Sequence, residues 1–278
     1  MKKTLLLLPF LFTILSCTHA PSHVEKAFYF WKNDYGLAEN EAKVLNEQQV
    51  NKLYVKFFEV ETTPSMGIFP TAKSNLNFRY NSNDSVTIVP TVYIRNEVFL
   101  ENNRGAIDSL ADNVNFLIGK YQKEKFENSP PFSEYQMDCD WTLKSKENYF
   151  YFLKRLKAIS KKKISCTLRL YPYKYSKKMG IPPVDKAMLM CYNLMNPLEN
   201  KSKNSILDNP ELDNYLVRKT KYPLHLDVAL PIYSWMQVYQ NNRFSTVIYN
   251  NAKSIAKIIK PDKTLWYEVT KDSVLNGV

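Results

Sequence analysis

The sequence predicts an α/β fold, a (β/α)8 TIM-like barrel of which seven strands are visible and whose C-terminal end is incomplete. Segments with strand-like and helical periodicity alternate along the chain, and each parallel crossover of that kind needs a helix. Polar residues recur at every second position inside several of these strands. Only 6 of the 278 residues are glycine, which argues against a turn-rich all-β sandwich.

The strand and helix patterns follow one another in the order that a barrel requires. Seven segments rich in β-branched and aromatic residues are expected to be strands: residues 27–31, 53–60, 86–94, 135–141, 163–171, 186–194 and 223–233. Apolar residues at helical spacing predict the helices between them: residues 37–50, 105–125, 149–159 and 246–260. The polar residues 61–84 are expected to form a long loop. No further helix and strand follow before Val278, so we expect either a natural chain that continues beyond it or an irregular eighth strand.

Two architectures fit this alternation, an open doubly wound sheet and a closed barrel. In an open sheet both faces are buried under apolar helices, so polar side chains at every second position of a strand would be costly to bury. In a barrel these side chains can point into a solvated lumen near its mouth. Three strands have such alternating polar residues, namely Asp138 and Asp140, then Ser165, Thr167 and Arg169, and then His225 and Asp227. No Gly-rich phosphate loop follows the first strand, and the barrel is therefore favoured.

Residues 1–17 have the pattern of a bacterial lipoprotein signal. Lys2 and Lys3 precede an apolar run at residues 5–15, which is too short to span a bilayer as a mature helix. Residues 14–17, Ile-Leu-Ser-Cys, resemble the lipobox, in which a peptidase cuts before the cysteine and the sulfur carries diacylglycerol. We therefore expect lipid on Cys17, a polar tether at residues 18–25 and a folded barrel at residues 26–278.

The net charge, the cysteines and the histidines exclude several classes of function. The formal charge is +11, and without Lys2 and Lys3 the chain keeps 36 basic and 27 acidic residues, or +9. We interpret this excess as a solvated basic surface, because export and the lack of a recognition motif argue against nucleic acid. His225 is the only histidine beyond the tether, so no metal site is expected, and no Walker or nicotinamide motif indicates a cofactor. Cys139, Cys166 and Cys191 are expected to be buried free thiols.

The most informative segment is residues 136–142, Gln-Met-Asp-Cys-Asp-Trp-Thr, at the end of the fourth predicted strand. Alternation places Asp138 and Asp140 on one face and Cys139 on the other. Barrel enzymes place catalytic groups at this end of their strands. Neighbouring carboxyl groups also split their pKa values, so that one becomes an acid while the other stays ionised. The alternative is a hydrogen-bonded pair that holds adjacent strands and loops together.

Other candidate residues follow from the same alternation. Arg169 and Tyr171 share the face of Thr167, and Arg169 is a suitable ion-pair partner for Asp138 or Asp140. Asp227 shares a face with His225. Tyr171, Tyr233 and Trp235 lie in predicted loops after strands, where aromatic rings either stack on sugars or pack over the barrel rim.

Two motifs resemble those of family-18 glycoside hydrolases, the chitinase group. Residues 138–142, Asp-Cys-Asp-Trp-Thr, are similar to that group's Asp-x-Asp-x-Glu signature on strand four. Residues 190–193, Met-Cys-Tyr-Asn, are similar to its Met-x-Tyr-Asp/Asn motif on strand six. The resemblance implies substrate-assisted hydrolysis, with Asp140 orienting the sugar's acetamido group and Tyr192 stabilising the cyclic intermediate beside Asn193. Thr142 stands where the group has its general-acid Glu, and a threonine cannot serve as that acid.

Most of the mature chain also resembles glycosidase-like barrel lipoproteins of Bacteroidota. The resemblance rests on the Asp-x-Asp-Trp-Thr segment and on residues 226–235, Leu-Asp-Val-Ala-Leu-Pro-Ile-Tyr-Ser-Trp. It implies a barrel held at the cell envelope, on the outer membrane. The residues after Cys17 lack the acidic run that resembles a surface-export signal, which favours the periplasmic side.

The sequence leaves two functions open. The first is a lipid-anchored, non-catalytic protein that binds a glycan, because the acid is replaced by Thr142 while Asp138, Asp140 and Tyr192 are retained. The second is an active glycoside hydrolase that uses these carboxylates with a relocated acid such as Glu59. Alternation gives Glu59 and Lys56 opposite parity, so that at most one of them points inward, and a surface position is the expected one for Glu59.

Overall fold

The computed structural model describes residues 24–33, 36–75, 86–196, 198, 203–217, 220–249, 255–263 and 265–271. Cys17 and the tether up to His23 lie outside the described residues, so the expected lipidation stays a prediction. Among the described residues no helix combines the length and the apolar character that crossing a bilayer requires.

Seven parallel strands form one continuous sheet. In chain order the first eight strands are β1 (Ala27–Phe30), β2 (Lys52–Thr63), β3 (Gly67–Thr71), β4 (Thr87–Ile94), β5 (Glu134–Asp138), β6 (Lys163–Arg169), β7 (Lys186–Met190) and β8 (His225–Ala229). Across the sheet the order is β1-β2-β4-β5-β6-β7-β8, all parallel, and β3 pairs antiparallel with the end of β2. The predicted loop at residues 61–84 is therefore wrong over residues 61–71, because β2 runs on to Thr63 and turns back into β3, and its residues 76–84 lie outside the described residues.

The sheet curls into a barrel wall, as contacts across its inner face prove. Lys186 Nζ on β7 donates to Tyr54 OH on β2 at 3.0 Å, although β4, β5 and β6 lie between these strands in the sheet. In a flat sheet four strand spacings would separate the two strands by about 19 Å. Tyr29 OH on β1 likewise donates to Gln136 Oε1 on β5 at 2.7 Å. The fold is thus an incomplete (β/α) barrel of seven parallel strands, which confirms the predicted fold class over the open sheet.

Seven helices lie between the described strands of the wall, and α3 and α4 cover its outer face. The seven helices are α1 (Glu39–Glu47), α2 (Glu97–Glu101), α3 (Arg104–Lys125), α4 (Lys146–Ser160), α5 (Leu170–Lys174), α6 (Ser176–Met179) and α7 (Asn209–Leu216). The main core lies between α3, α4 and the outward side chains of the strands, and Ile118, Phe152 and Leu168 are fully buried there. Cys139, Cys166 and Cys191 are buried free thiols, as predicted.

The predicted helix at residues 246–260 is wrong in the part that the structure describes, since residues 246–249 and 259–260 belong to strands, and residues 250–254 lie outside the described residues. Residues 235–249 instead form a hairpin of β9 (Trp235–Gln240) and β10 (Arg243–Tyr249). Its turn is Asn241-Asn242, with φ of 50° and 61°, which is the left-handed pair that a two-residue type I′ turn needs. β10 contains consecutive β-branched residues, which favour a strand. Two further strands, β11 (Ile259–Lys263) and β12 (Trp266–Val269), form a second hairpin.

A β-bulge changes the alternation in β2. The register with β4 shifts between Lys56 and Phe58, so that Phe57 has no partner and both phenylalanines point into the outer core. Glu59 consequently returns to the face of Lys56, and Lys56 Nζ donates to Glu59 Oε1 at 2.6 Å. The expectation that these two side chains have opposite parity is therefore wrong, because one extra residue reverses the period-2 pattern.

Candidate functional site

A cavity of about 420 Å³ lies at the C-terminal ends of β5, β6 and β7. Its lining includes six of the predicted site residues: Asp138, Asp140, Arg169, Tyr171, Tyr192 and Asn193. A larger depression of about 920 Å³ beside the start of β8 is lined by His225, but by no carboxylate and by none of the other candidate residues. We place the candidate site in the smaller cavity, because carboxylates, a guanidinium group and aromatic rings converge there at the end of the barrel where β5 to β7 finish.

Asp138 ends β5 and lies in the wall of the cavity. Thr167 Oγ1 on the neighbouring strand β6 donates to Asp138 Oδ1 at 2.6 Å. Burial raises the pKa of Asp138 to about 6, and the negative charge of Asp140 also raises it. The hydrogen bond from Thr167 and the positive charge of Arg169 lower the pKa and offset part of this shift. The residue is partly exposed and lines the cavity.

Asp140 lies in the loop that joins β5 to α4, and Arg169 holds this loop from β6. Asp140 Oδ1 is 3.2 Å from Arg169 Nε, which is the pair that the sequence suggested. Both side chains are about half exposed, so the pair contributes little to stability. Arg169 Nη2 also donates to the carbonyl oxygen of Trp141 at 2.6 Å, and the Trp141 ring is buried against Tyr149 and Phe150. The loop that presents Asp140 is therefore fixed from two sides.

Thr142 follows in the same loop and is exposed. Its backbone N–H donates to Ser145 Oγ at 2.9 Å, and its own hydroxyl oxygen lies 3.3 Å from the same atom. The side chain at the position of the resembled general acid is thus engaged with the start of α4.

Three aromatic rings form one continuous group beside the cavity. The rings of Tyr192 and Tyr233 meet nearly perpendicular at 6.0 Å, and those of Tyr233 and Trp235 are 5.7 Å apart. Tyr233 OH donates to Asn193 Oδ1 at 2.8 Å, which joins the loop before β9 to the end of β7. Burial, followed by the charge of Asp138, raises the pKa of Tyr192 above its usual value, so its phenol stays neutral. We call Tyr192, Tyr233 and Trp235 the aromatic group.

Tyr171 lines the cavity, but it lies in a helix and not in the strand that was predicted. β6 ends at Arg169, and Leu170 begins the short helix α5, which holds Pro172 in its first turn. Tyr171 therefore projects from a helix, with its ring 4.7 Å from that of Tyr175, and is not the next inward residue of a strand. Leu170, the first residue of α5, also lines the cavity. Tyr215 on α7 lines it as well, and nothing in the local sequence pattern indicated this.

Asp227 and Glu59, the remaining predicted carboxylates, do not line the cavity. Asp227 Oδ2 lies 2.9 Å from Lys186 Nζ inside the lumen, and Lys186 Nζ is also 3.2 Å from Glu134 Oε2. Burial opposes ionisation of Asp227, but the hydrogen bond and charge of Lys186 hold its pKa below the usual value. Glu59 is not the surface residue that was expected, because it forms a partly buried ion pair with Lys56, and it does not line the cavity either. Within the described ranges no group of three His, Cys, Asp or Glu side chains could hold a metal ion.

The raised pKa of Asp138 predicts a pH-dependent effect of Asp138→Asn on stability. Between about pH 4 and pH 6 the Asp138 carboxyl group is protonated in the folded chain and ionised in the unfolded chain. The free energy of unfolding therefore falls as the pH rises through this range, and Asp138 favours folding more at pH 4 than at pH 8. We expect Asp138→Asn to stabilise the protein by about 1 kcal/mol at pH 8, after allowance for partial exposure, and to lose this advantage by pH 4. Urea unfolding at both pH values checks this. The matched control is Asp112→Asn, since Asp112 is an exposed carboxylate on α3 paired with Arg155. A stability change independent of pH would contradict the expectation.

Comparisons with known proteins give likenesses of architecture. No family model matches the sequence, and no curated protein matches it. A solved protein of Bacillus subtilis described as a sporulation-specific glycosylase aligns with a TM-score of 0.43 and 14% identity; the match covers 64% of this chain and 65% of that one, less than two thirds of its length. A chitinase of Chromobacterium violaceum aligns with a TM-score of 0.48 and 13% identity over 85% of this chain and 78% of that one. The chitinase-like agglutinin of Robinia pseudoacacia aligns with a TM-score of 0.41 and 13% identity over 86% and 82%.

Proposed function

We propose that this protein is a lipid-anchored envelope protein that binds a carbohydrate in the cavity at the ends of β5, β6 and β7 and does not hydrolyse it by the family-18 route. The observation that carries the proposal is the convergence of two carboxylates, one guanidinium group and aromatic rings on a single cavity. A volume of about 420 Å³ lies in the range of small-ligand sites.

The chemistry of the lining suits a sugar. The exposed carboxylate of Asp140 and the Asn193 side chain accept hydrogen bonds from hydroxyl groups, and Arg169 donates to ring and glycosidic oxygens. Tyr171 and the aromatic group offer faces on which the apolar side of a pyranose ring can stack. Arg169 and Trp141 hold the Asp140 loop in place before a ligand arrives, which lowers the entropic cost of binding.

The absence of hydrolysis by the family-18 route rests on Thr142. A threonine hydroxyl has no useful acidity near neutral pH, so it cannot protonate a glycosidic oxygen. Its engagement with Ser145 at the start of α4 gives it a local structural role.

One observation favours a second candidate, an active glycoside hydrolase with Asp138 as the general acid. Burial raises the pKa of Asp138 to about 6, the range in which a carboxyl group can donate a proton at mildly acidic pH. Asp140, on the same cavity, would be the second carboxylate. Glu59 is not a suitable acid, because it lies outside the cavity lining and is paired with Lys56.

A glycan array run on the full-length protein tests the proposal. We expect binding to at least one glycan, and about tenfold or greater weakening by Asp140→Asn, because hydrogen bonds to a charged group are worth more than neutral ones. Asp112→Asn, an equal charge change on the outer helix α3, should bind as the wild type does. The proposal is wrong if the wild-type protein binds no glycan, or if Asp140→Asn binds glycan as tightly as Asp112→Asn does.

An activity screen on the same proteins separates the two candidates. The binding proposal predicts no release of sugar from aryl glycosides or chitooligosaccharides between pH 4 and pH 8. Turnover at pH 5 to 6 that is abolished by Asp138→Asn would instead establish the hydrolase.

A further inference from the structure

The parallel strands give the barrel two distinct ends, and the cavity lies at one of them. Because β1 to β8 of the main sheet run parallel, apart from β3, their N-terminal ends gather on one side, opposite the cavity. The long helices α3 and α4 return antiparallel to the strands, so their C-terminal ends lie on this same side. We call this side the basal face.

Five lysines are concentrated on the basal face. Lys123 and Lys125 lie in the last turn of α3. Lys161, Lys162 and Lys163 join the end of α4 to the start of β6. α3 and α4 are neighbours, linked by the hydrogen bond from Tyr151 OH to Asp108 Oδ1, so their ends lie side by side. We call these five residues the basal lysines.

The basal lysines are available to a partner. Four are exposed and Lys162 is partly exposed. No ion pair joins any of them to another residue that the structure describes. Both ends also contain paired cations, such as Lys52 with Glu25 at the start of β2 and Lys56 with Glu59 further along it. Carboxylates lie close to them as well, since Glu124 and Glu127 are exposed and Asp185 interacts electrostatically with Lys163. The positive potential of this face therefore comes from the excess of its five lysines over these carboxylates.

The chain enters the barrel from this same face. β1 begins at Ala27, and residues 24–26 lead into it from the basal side. Cys17 is ten positions before Ala27, a stretch that spans at most about 35 Å when fully extended. A lipid on Cys17 would therefore keep the start of β1, on the basal face, within about 35 Å of the bilayer.

We propose that the basal lysines contact anionic phospholipid headgroups, so that the barrel stands on the membrane with its cavity facing away. The inference rests on the lipid anchor of the proposed function and adds the orientation of the bound domain. Each lysine near an anionic surface strengthens binding by roughly fivefold, and the attraction extends over a Debye length of about 10 Å at 0.1 M salt. A lipid anchor combined with a basic patch also gives stable attachment.

Amine-reactive footprinting of the full-length lipoprotein in vesicles tests this orientation. One vesicle preparation contains phosphatidylglycerol and phosphatidylcholine, and the other contains phosphatidylcholine alone. We expect labelling of the basal lysines to fall about fivefold or more in the anionic vesicles. Labelling should recover at 1 M salt, where the Debye length shrinks to about 3 Å. Lys177 and Lys178 on α6, near the cavity, should be labelled equally in both.

A pair of matched charge reversals sharpens the test. In the triple variant Lys161→Glu, Lys162→Glu, Lys163→Glu, we expect Lys123 and Lys125 to lose their protection in anionic vesicles. The control reverses Lys174, Lys177 and Lys178 to glutamate at the opposite end, and it should keep the protection. Circular dichroism verifies that both variants are folded.

Two outcomes would overturn the inference, and they are distinguishable. Equal labelling of the basal lysines in both vesicle types, with lipid detected on Cys17 by mass spectrometry, would overturn the orientation and leave the anchor intact. Absence of lipid on Cys17 would remove both the anchor and the orientation that depends on it, while glycan binding is judged separately on the array.

Discussion

Replacing Lys186 with methionine is expected to lower the free energy of unfolding by about 3–5 kcal/mol, because it leaves two carboxylates in the lumen without their cation. The Lys186 ammonium group contacts Glu134, Asp227 and Tyr54 OH at 2.9 to 3.2 Å, and the Glu134 side chain is only 8% exposed. Burial disfavours the charge on Lys186, but the hydrogen bonds with Tyr54 and Asp227 and the charge of Glu134 more than offset this and raise its pKa above the usual value. Urea unfolding at pH 7 measures the loss.

A rescue variant and a surface control accompany this measurement. Adding Glu134→Gln and Asp227→Asn to Lys186→Met should recover most of the lost stability, since the triple variant leaves no unpaired charge in the lumen. Lys43→Met breaks an exposed pair with Glu47 on α1 and should change stability by less than about 0.5 kcal/mol. If Lys186→Met costs no more than Lys43→Met, the lumen network does not stabilise the barrel.

Truncating Trp141 to alanine is expected to cost about 3–5 kcal/mol, the range for a large aromatic residue removed from a packed core. The side chain is 1% exposed and fills the space between the Asp140 loop and α4, against Tyr149 and Phe150. Alanine keeps the backbone carbonyl oxygen that Arg169 binds but removes the ring that fixes the position of this loop, so glycan affinity should fall along with stability. Urea unfolding and titration with a glycan from the array measure the two effects.

Two further variants show whether packing is the cause. Trp141→Phe keeps much of the buried ring and should lose clearly less stability than Trp141→Ala. Phe116→Ala on α3 removes an aromatic side chain that is 71% exposed and should change stability by less than about 0.5 kcal/mol. Full stability of Trp141→Ala would show that the loop is held without the indole ring.

The inward-facing residues of β5 and β6 could be predicted because a regular strand alternates strictly between its two faces. Asp138, Thr167 and Arg169 follow that alternation up to the point where each strand ends, and the structure brings all three to one cavity. The same rule failed at Tyr171, since no period-2 pattern reveals that β6 gives way to a helix at Leu170. Alternation assigned Asp227 to the lumen face, where the structure has it, but alternation does not specify the height along the barrel axis, and Asp227 does not line the cavity.

The hairpin of β9 and β10 shows a different limit. Val247 and Ile248 fit a helical stripe with later apolar residues as well as they fit a strand, so spacing alone could not decide between the two. The deciding signal was Asn241-Asn242, two residues that tolerate positive φ and mark a tight hairpin turn. Tyr215 had no such signal, since its place at the cavity depends on how α7 packs beside α5.

The bulge at Phe57 bears on how related sequences should be aligned with this one. Up to Lys56 the even-numbered positions of β2 face the lumen, and from Glu59 onward the odd-numbered positions do. A sequence lacking one residue here would need a gap at position 57 for its lumen and core residues to correspond. An alignment without that gap would match core residues with lumen-facing residues on one side of the bulge in β2. A single backbone irregularity therefore determines which substitutions in β2 count as conservative.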